Sequence, residues 1–200
     1  MEAEPAGRLG SHALGQAHSL RIRAFFGLPL PEAHREALDR YVAACAALAP
    51  DFRWTPAANL HLTVRFLGHV DQGLAEGIME RLAGLGLRAF DLRLGEAGAF
   101  KRGRLARVVW LGLASGLAEV GALASAVEAE SVRAGLEAEK RSYHAHLTLA
   151  RARARDGAVL PELPPPPDLP AWRADELILY RSHLGRGGSV YEALRRLRLG

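Results

Sequence analysis

Two short stretches carry nearly the same four residues. "NLHLTVRFLG", residues 59–68, and "SYHAHLTLAR", residues 142–151, each read His-Leu-Thr-aliphatic. On a strand, residues two apart point the same way. His61 and Thr63 then share one face while Leu62 and Val64 pack behind, and His146 and Thr148 repeat the arrangement against Leu147 and Leu149. Each motif presents an imidazole beside a hydroxyl on a stiff element. A single strand histidine is usually structural, but a duplicated His-x-Thr in matching contexts points to a pair that works together. Three chemistries use such a pair. Metal binding is one, because imidazole is the commonest metal ligand and His144 adds a further ring two residues before His146; few carboxylates accompany the motifs, and Cys45 lies elsewhere. Nucleophilic catalysis is another, but the chain lacks a Gly-x-Ser-x-Gly elbow. The third is acid–base catalysis across a phosphorus. There one neutral imidazole takes a proton from water and one imidazolium gives a proton to the leaving oxygen, both forms being accessible near pH 7.

The elements that must position these residues are legible from period and punctuation. Arg21, Arg23 and Phe25 alternate with Ile22, Ala24 and Phe26, which indicates a strand stopped by Pro29 and Pro31. A helix follows from Pro31. The 59–68 stretch reads as a strand ended by Gly68. Asp71 is a helix N-cap, with the C-terminus at Gly84 or Gly86. Residues 89–100 and 106–113 are strand-like, separated by the basic loop "KRGR"; a long amphipathic helix covers residues 115–136, and "HAHLTLAR" is a strand. "LPELPPPPDLP", residues 160–170, is an extended surface connector. Residues 174–184 and 189–199, joined by "GRGG", form a closing antiparallel pair. The order β-α-β-α-β-β-α-β-loop-β-β specifies an α+β protein with mainly antiparallel sheets. A helix followed by a His-Leu-Thr strand occurs in each half, a faint internal repeat.

Composition narrows the class. No run of about 18 apolar residues is present to span a membrane, and residues 1–19 lack the apolar core of a secretory signal. They read as a loose polar extension whose loss leaves the rest intact, with residues 20–200 forming one domain. The one cysteine, Cys45, lies in an Ala-rich helical pattern and reads as a buried thiol. The net charge is +4, and apart from Lys101 and Lys140 all of the positive charge is arginine, whose planar fork suits phosphate. A cytoplasmic monomer without an obligate protein partner fits these features. His12, His18, His34, His69 and His183 read as surface residues.

With both motifs in place the chain resembles the 2H phosphoesterase superfamily. "RAFFGLPLPE", "NLHLTVRFLG", "RVVWLGL", "HLTLAR" and "LYRSHLGRGGSVYEAL" resemble, in order, segments of the RNA 2′,3′-cyclic phosphodiesterases, also called 2′-5′ RNA ligase-like proteins, over roughly residues 21–195. Ala145 stands where the family usually has proline, and Pro29 where it usually has an acidic residue. The resemblance implies a two-lobed, pseudo-twofold α+β fold with helices outside and one motif strand from each lobe in a central cleft. It implies that the chain opens terminal 2′,3′-cyclic phosphates on RNA to 2′-phosphates, with no metal or cofactor and with possible ligation in reverse. By family analogy His61 is the proton donor and His146 the proton acceptor, while Thr63, Thr148 and Arg151 bind phosphate oxygens. Phe25 is a candidate to stack on a base, Arg65 to add positive potential beside His61 and Thr63, and His144 to line the cleft. Two alternatives stay open: the same chemistry on a small cyclic nucleotide or an ADP-ribose cyclic phosphate, and an RNA- or nucleotide-binding module without turnover.

Overall fold

In the computed structural model, which describes residues 20–185 and 188–200, twelve α-helices and strands follow one another, with a short 3-10 turn at Ala57–Asn59 before the third strand. They are β1 (Arg21–Pro29), α1 (Glu32–Leu48), β2 (Phe52–Trp54), β3 (His61–Asp71), α2 (Gln72–Ala83), β4 (Phe90–Arg102), β5 (Leu105–Ser115), α3 (Leu117–Arg133), β6 (Leu147–Ala152), β7 (Trp172–Ala174), β8 (Glu176–Gly185) and β9 (Gly188–Arg198). The expected α+β class holds, and every strand pairing among the described residues is antiparallel. The N-terminal extension, with His12 and His18, lies outside the described residues. So does the tip of the β8–β9 connection at residues 186 and 187.

The strands form one path, β7-β4-β5-β6-β3-β1-β8-β9, with β2 attached to β6. Its centre is the β6–β3 contact, where Leu62 faces Leu147. On either side the order mirrors itself: β3-β1-β8-β9 in one half, β6-β5-β4-β7 in the other. This is the internal repeat of the sequence, a strand-helix-strand unit (β1-α1-β3 and β5-α3-β6) whose outer strands pair. The helices tie the halves together. α3 packs on β3 of the opposite half and on α2, and α1 lies against β2, which extends the β6 sheet. Among the described residues no helix is long and apolar enough to cross a membrane.

Local chemistry accounts for the boundaries. Asp71 caps α2 by accepting from the Leu74 N–H at 2.9 Å, and Gly84 closes the helix. The α1 interior turns Leu38, Val42 and Cys45 inward. Cys45 is fully buried, and that burial raises its thiol pKa, as expected of a structural thiol. Gly68 does not end β3; at φ 71° it sits in an irregular stretch through which the strand continues to Asp71. The "KRGR" loop contracts to a tight turn at Gly103, φ 59°, because Lys101 and Arg102 pair with Ala106 and Leu105. Two short strands, β2 and β7, carry too few residues for a period-two signal. The proline-rich connector is tied down: Tyr41 Oη donates to the Pro164 carbonyl at 3.1 Å, and His34 Nε2 donates to the Pro170 carbonyl at 3.0 Å. His34 is therefore buried, 5% exposed, against the surface location read from sequence, whereas His69 and His183 are exposed.

The Leu62–Leu147 contact sets the spacing of the two motifs, and both side chains are fully buried. Leu147→Ala is expected to cost about 2–5 kcal/mol, as for other buried Leu→Ala changes, read as a lowered urea midpoint at unchanged slope.

Candidate active site

The Leu62–Leu147 pair fixes the register of the motifs. In antiparallel strands it sets His61 across from Thr148 and Thr63 across from His146. The two imidazole–hydroxyl sets thus form a diagonal square on one face of the sheet, with the aliphatic residues on the other.

Each histidine is oriented in the same way. His61 Nδ1 lies 2.8 Å from the Asn59 carbonyl, and His146 Nδ1 lies 2.7 Å from the His144 carbonyl. A carbonyl only accepts, so each Nδ1 carries the proton and each neutral ring turns an unprotonated Nε2 to the site. Thr63 Oγ1 donates to His61 Nε2 at 3.1 Å. Asn59 is itself held, its side-chain amide donating to the Ser189 carbonyl on β9 at 2.7 Å. His146 precedes β6 rather than lying inside it: residues 144–146 lie outside the ladder, which frees the His144 carbonyl for this bond.

Aromatic rings wall both imidazoles. Phe25 stacks on His61 at 4.6 Å, Tyr191 meets it edge-on at 5.0 Å, and Tyr180 stacks on Phe25 at 5.0 Å. Around His146, Phe100 stands edge-on at 5.0 Å and Trp110 at 6.4 Å, and His144 packs edge-on against Trp110 at 5.1 Å. Two glycines admit these rings. A Cβ on Gly27 would meet His61 Cδ2 at 3.3 Å, and one on Gly98 would overlap the Trp110 ring at 2.3 Å. Burial depresses both imidazoles. For His61 it brings the pKa down to about 4; the Asn59 carbonyl opposes this, and the charges of Arg151 and His146 add to it. His146 is lowered by burial, against the pull of the His144 carbonyl, and further by His144 and Arg151.

Two matched irregularities decide what else reaches this face. On β3, Thr63 pairs with Gly27 but Arg65 with Phe26, so Val64 is an extra residue. On β6, Thr148 pairs with Trp110 but Ala150 with Val109, so Leu149 is extra. A bulge of this kind reverses the alternation beyond it. Arg151 therefore joins the face of His146 and Thr148, where its charge acts on both histidines. Arg65 is turned away from His61 and Thr63, contrary to the reading from strict alternation. It pairs with Glu128 of α3 and donates to the Glu137 carbonyl at 2.9 Å. Phe66 takes its place and is 52% exposed. Phe25, a candidate platform for a base, is 1% exposed; both faces of its ring are covered, and it is the floor under His61. His144 is exposed and lines a cavity of about 720 Å³ beside His146, with Phe66, Phe100 and Tyr143. Tyr143 Oη donates to the Thr63 carbonyl at 3.0 Å, latching the segment before His146 onto the other motif strand. Tyr143, Tyr180, Tyr191 and Trp110 had no sequence signal of their own, since their roles depend on contacts between distant strands.

The family model for LigT-like phosphoesterases matches residues 28–110. The RNA 2′,3′-cyclic phosphodiesterase of Escherichia coli K12 is 34% identical over 176 residues, covering 87% of this chain and 94% of the relative. That of Aeropyrum pernix is 34% identical over 140 residues, 68% and 80% of the two chains. Among solved structures, E. coli LigT complexed with 3′-AMP superposes with a TM-score of 0.78 at 30% identity, covering 90% of this chain and 99% of that one. The Thermus thermophilus protein TT0787 gives 0.74 at 27%, covering 89% and 98%.

Gly27→Ala tests the fit of the His61 ring. The new methyl is expected to displace the imidazole by a few tenths of an ångström, moving the His61 ring resonances in an NMR titration while those of His146 stay in place.

Proposed function

The chain belongs to the LigT-like phosphoesterases, and from that membership we propose that it opens 2′,3′-cyclic phosphates at RNA ends. The observation that carries the reading is the pair of Nε2 atoms, each oriented by a carbonyl two residues back and each set beside a threonine, with Arg151 acting on both. In the proposed reaction the cyclic phosphate lies between the rings. His146 Nε2 takes a proton from water as its oxygen bonds to phosphorus. The P–O3′ bond breaks, and His61, protonated at Nε2, gives that proton to O3′. Thr63, Thr148 and Arg151 hold the non-bridging oxygens, where charge develops. The product carries a 2′-phosphate and a free 3′-hydroxyl. An RNA 5′-hydroxyl in place of water runs the same displacement to a 2′-5′ diester.

The depressed imidazole pKa values fit this use. A neutral His146 is ready as the base, and a phosphate anion beside His61 favours the imidazolium the donor step needs. Aromatic rings, threonines and an arginine surround both histidines, so charge and protons are supplied by the side chains themselves, and the reaction is proposed to run without a metal.

A short RNA with a 2′,3′-cyclic phosphate end, digested and followed by phosphorus NMR, tests the reading. The 2′-phosphate is expected as the product, with turnover unaffected by EDTA. His61→Ala and His146→Ala should each slow it roughly 10²–10⁴-fold. An inert wild type refutes the function, a 3′-phosphate reverses the substrate orientation, and loss in EDTA restored by zinc refutes metal independence.

The pH profile is a separate check. Catalysis needs one ring charged and the other neutral. In the free protein both pKa values lie below the usual 6.5, so near neutrality both rings are uncharged, and the productive form grows as pH falls. The bell for kcat/KM, which reports the free enzyme, is expected to centre on the acid side of 6.5. The kcat bell should lie to its alkaline side, because bound phosphate stabilises the imidazolium. A kcat/KM bell centred above 6.5 contradicts this.

A further inference from the structure

Three arginines around the site have no anionic partner among the described residues. Arg53 on β2 is the cross-strand partner of Arg151 on β6, so the two side chains leave the sheet on the same face. Like charges directly opposite one another in a ladder are destabilising. Arg23 on β1 shares its face with Phe25 and Gly27, and its positive charge adds to the desolvation that lowers the Arg151 pKa. Among the described residues none of the three makes an ion pair or a side-chain hydrogen bond. Several other arginines, among them Arg65, Arg81, Arg93, Arg133, Arg195 and Arg198, reach a carboxylate, and among the described residues Arg53–Arg151 is the one arginine–arginine pair in the sheet ladders. Repulsion left standing across the ladder beside the site is what a bound polyanion would relieve, and a single phosphate held by the histidines, threonines and Arg151 leaves Arg53 and Arg23 unused.

We propose that Arg53 and Arg23 form a subsite for the RNA chain, binding the phosphodiester that joins the terminal nucleotide to the one before it. The inference rests on the function proposed above and deepens it. Arg151 serves the reacting phosphate, and the two flanking arginines add affinity only when a second phosphate follows. The site thereby selects an oligonucleotide over a free cyclic mononucleotide. No base is read by this contact, so the selection is for chain rather than sequence.

The test compares adenosine 2′,3′-cyclic phosphate with a trinucleotide ending in the same group, by kcat/KM, in the wild type and in Arg53→Gln, Arg23→Gln and the double variant. The wild type is expected to prefer the trinucleotide. The double variant should lose roughly tenfold or more of that preference, the size of a lost charged hydrogen bond, mainly through KM. The slope of log KM against log salt for the trinucleotide should flatten by about 0.7 per arginine removed. A wild type that hydrolyses neither substrate refutes the proposed function itself. A wild type indifferent to chain length overturns the subsite alone. So do variants that keep the preference and salt slope, or that lose both substrates equally.

Discussion

One antiparallel contact, Leu62 against Leu147, holds the site together. Among the described residues it is the only ladder link between the two halves of the sheet, and it joins the centres of the two motifs. Catalysis by two groups across one phosphorus requires their separation and facing to be set before substrate arrives. Here that is done by a pair of fully buried leucines in a fixed register, on strands rather than loops. The exchange of helices between the halves, α3 onto β3 and α1 onto β2, resists any opening of this thin junction. Tyr143 adds a second tie by bonding the approach to His146 to the Thr63 carbonyl.

Around that junction the two halves solve one problem twice. An imidazole must be held in one tautomer with Nε2 outward, in surroundings dry enough to sharpen its interactions with phosphate. The carbonyl two residues back fixes the tautomer in both halves. The dryness comes from different rings, Phe25, Tyr180 and Tyr191 on one side and Phe100 and Trp110 on the other. Depressed imidazole pKa values are the consequence of that enclosure. Glycine is the hidden requirement in each half: Gly27 leaves room beside the His61 ring, and Gly98 leaves room for Trp110.

Much of this was legible in the sequence because its signals are local. Period two located β1, β3, β5 and the β8–β9 pair, Asp71 announced α2, and the duplicated motif named the histidines and threonines. The rest depends on register, which a single strand does not display. Strict alternation puts Arg65 with His61 and Thr63 and puts Arg151 on the back of its strand; the bulges at Val64 and Leu149 reverse both assignments. Nothing in "TVRF" or "TLAR" marks a bulge, since it is defined by the strand opposite. For the same reason Phe25 looks like a free aromatic until the curl of the sheet brings Tyr180 and Tyr191 over it. Arg53 was invisible because β2 is three residues long and takes its meaning from β6.

The matched bulges also expose where the twofold symmetry breaks. Phe66 follows His61 at the interval at which Arg151 follows His146, and both come after an extra residue, so they occupy equivalent positions on the site face. One is a half-exposed apolar ring, the other a cation without an acidic partner among the described residues. The scaffold needs symmetry to place two like groups across a phosphorus. The substrate has none, because one side of a terminal cyclic phosphate carries a nucleoside and the other faces water. A pair of equivalent positions holding unlike residues gives the cleft a polarity. The aromatic cavity of Phe66, Phe100 and Tyr143 borders His146, while the charge of Arg151 acts on both histidines. Swapping the halves would exchange His61 with His146 and leave the carbonyl bond of each Nδ1 the same, so in the proposed mechanism the direction of proton transfer is set less by the histidines than by the unlike residues around them.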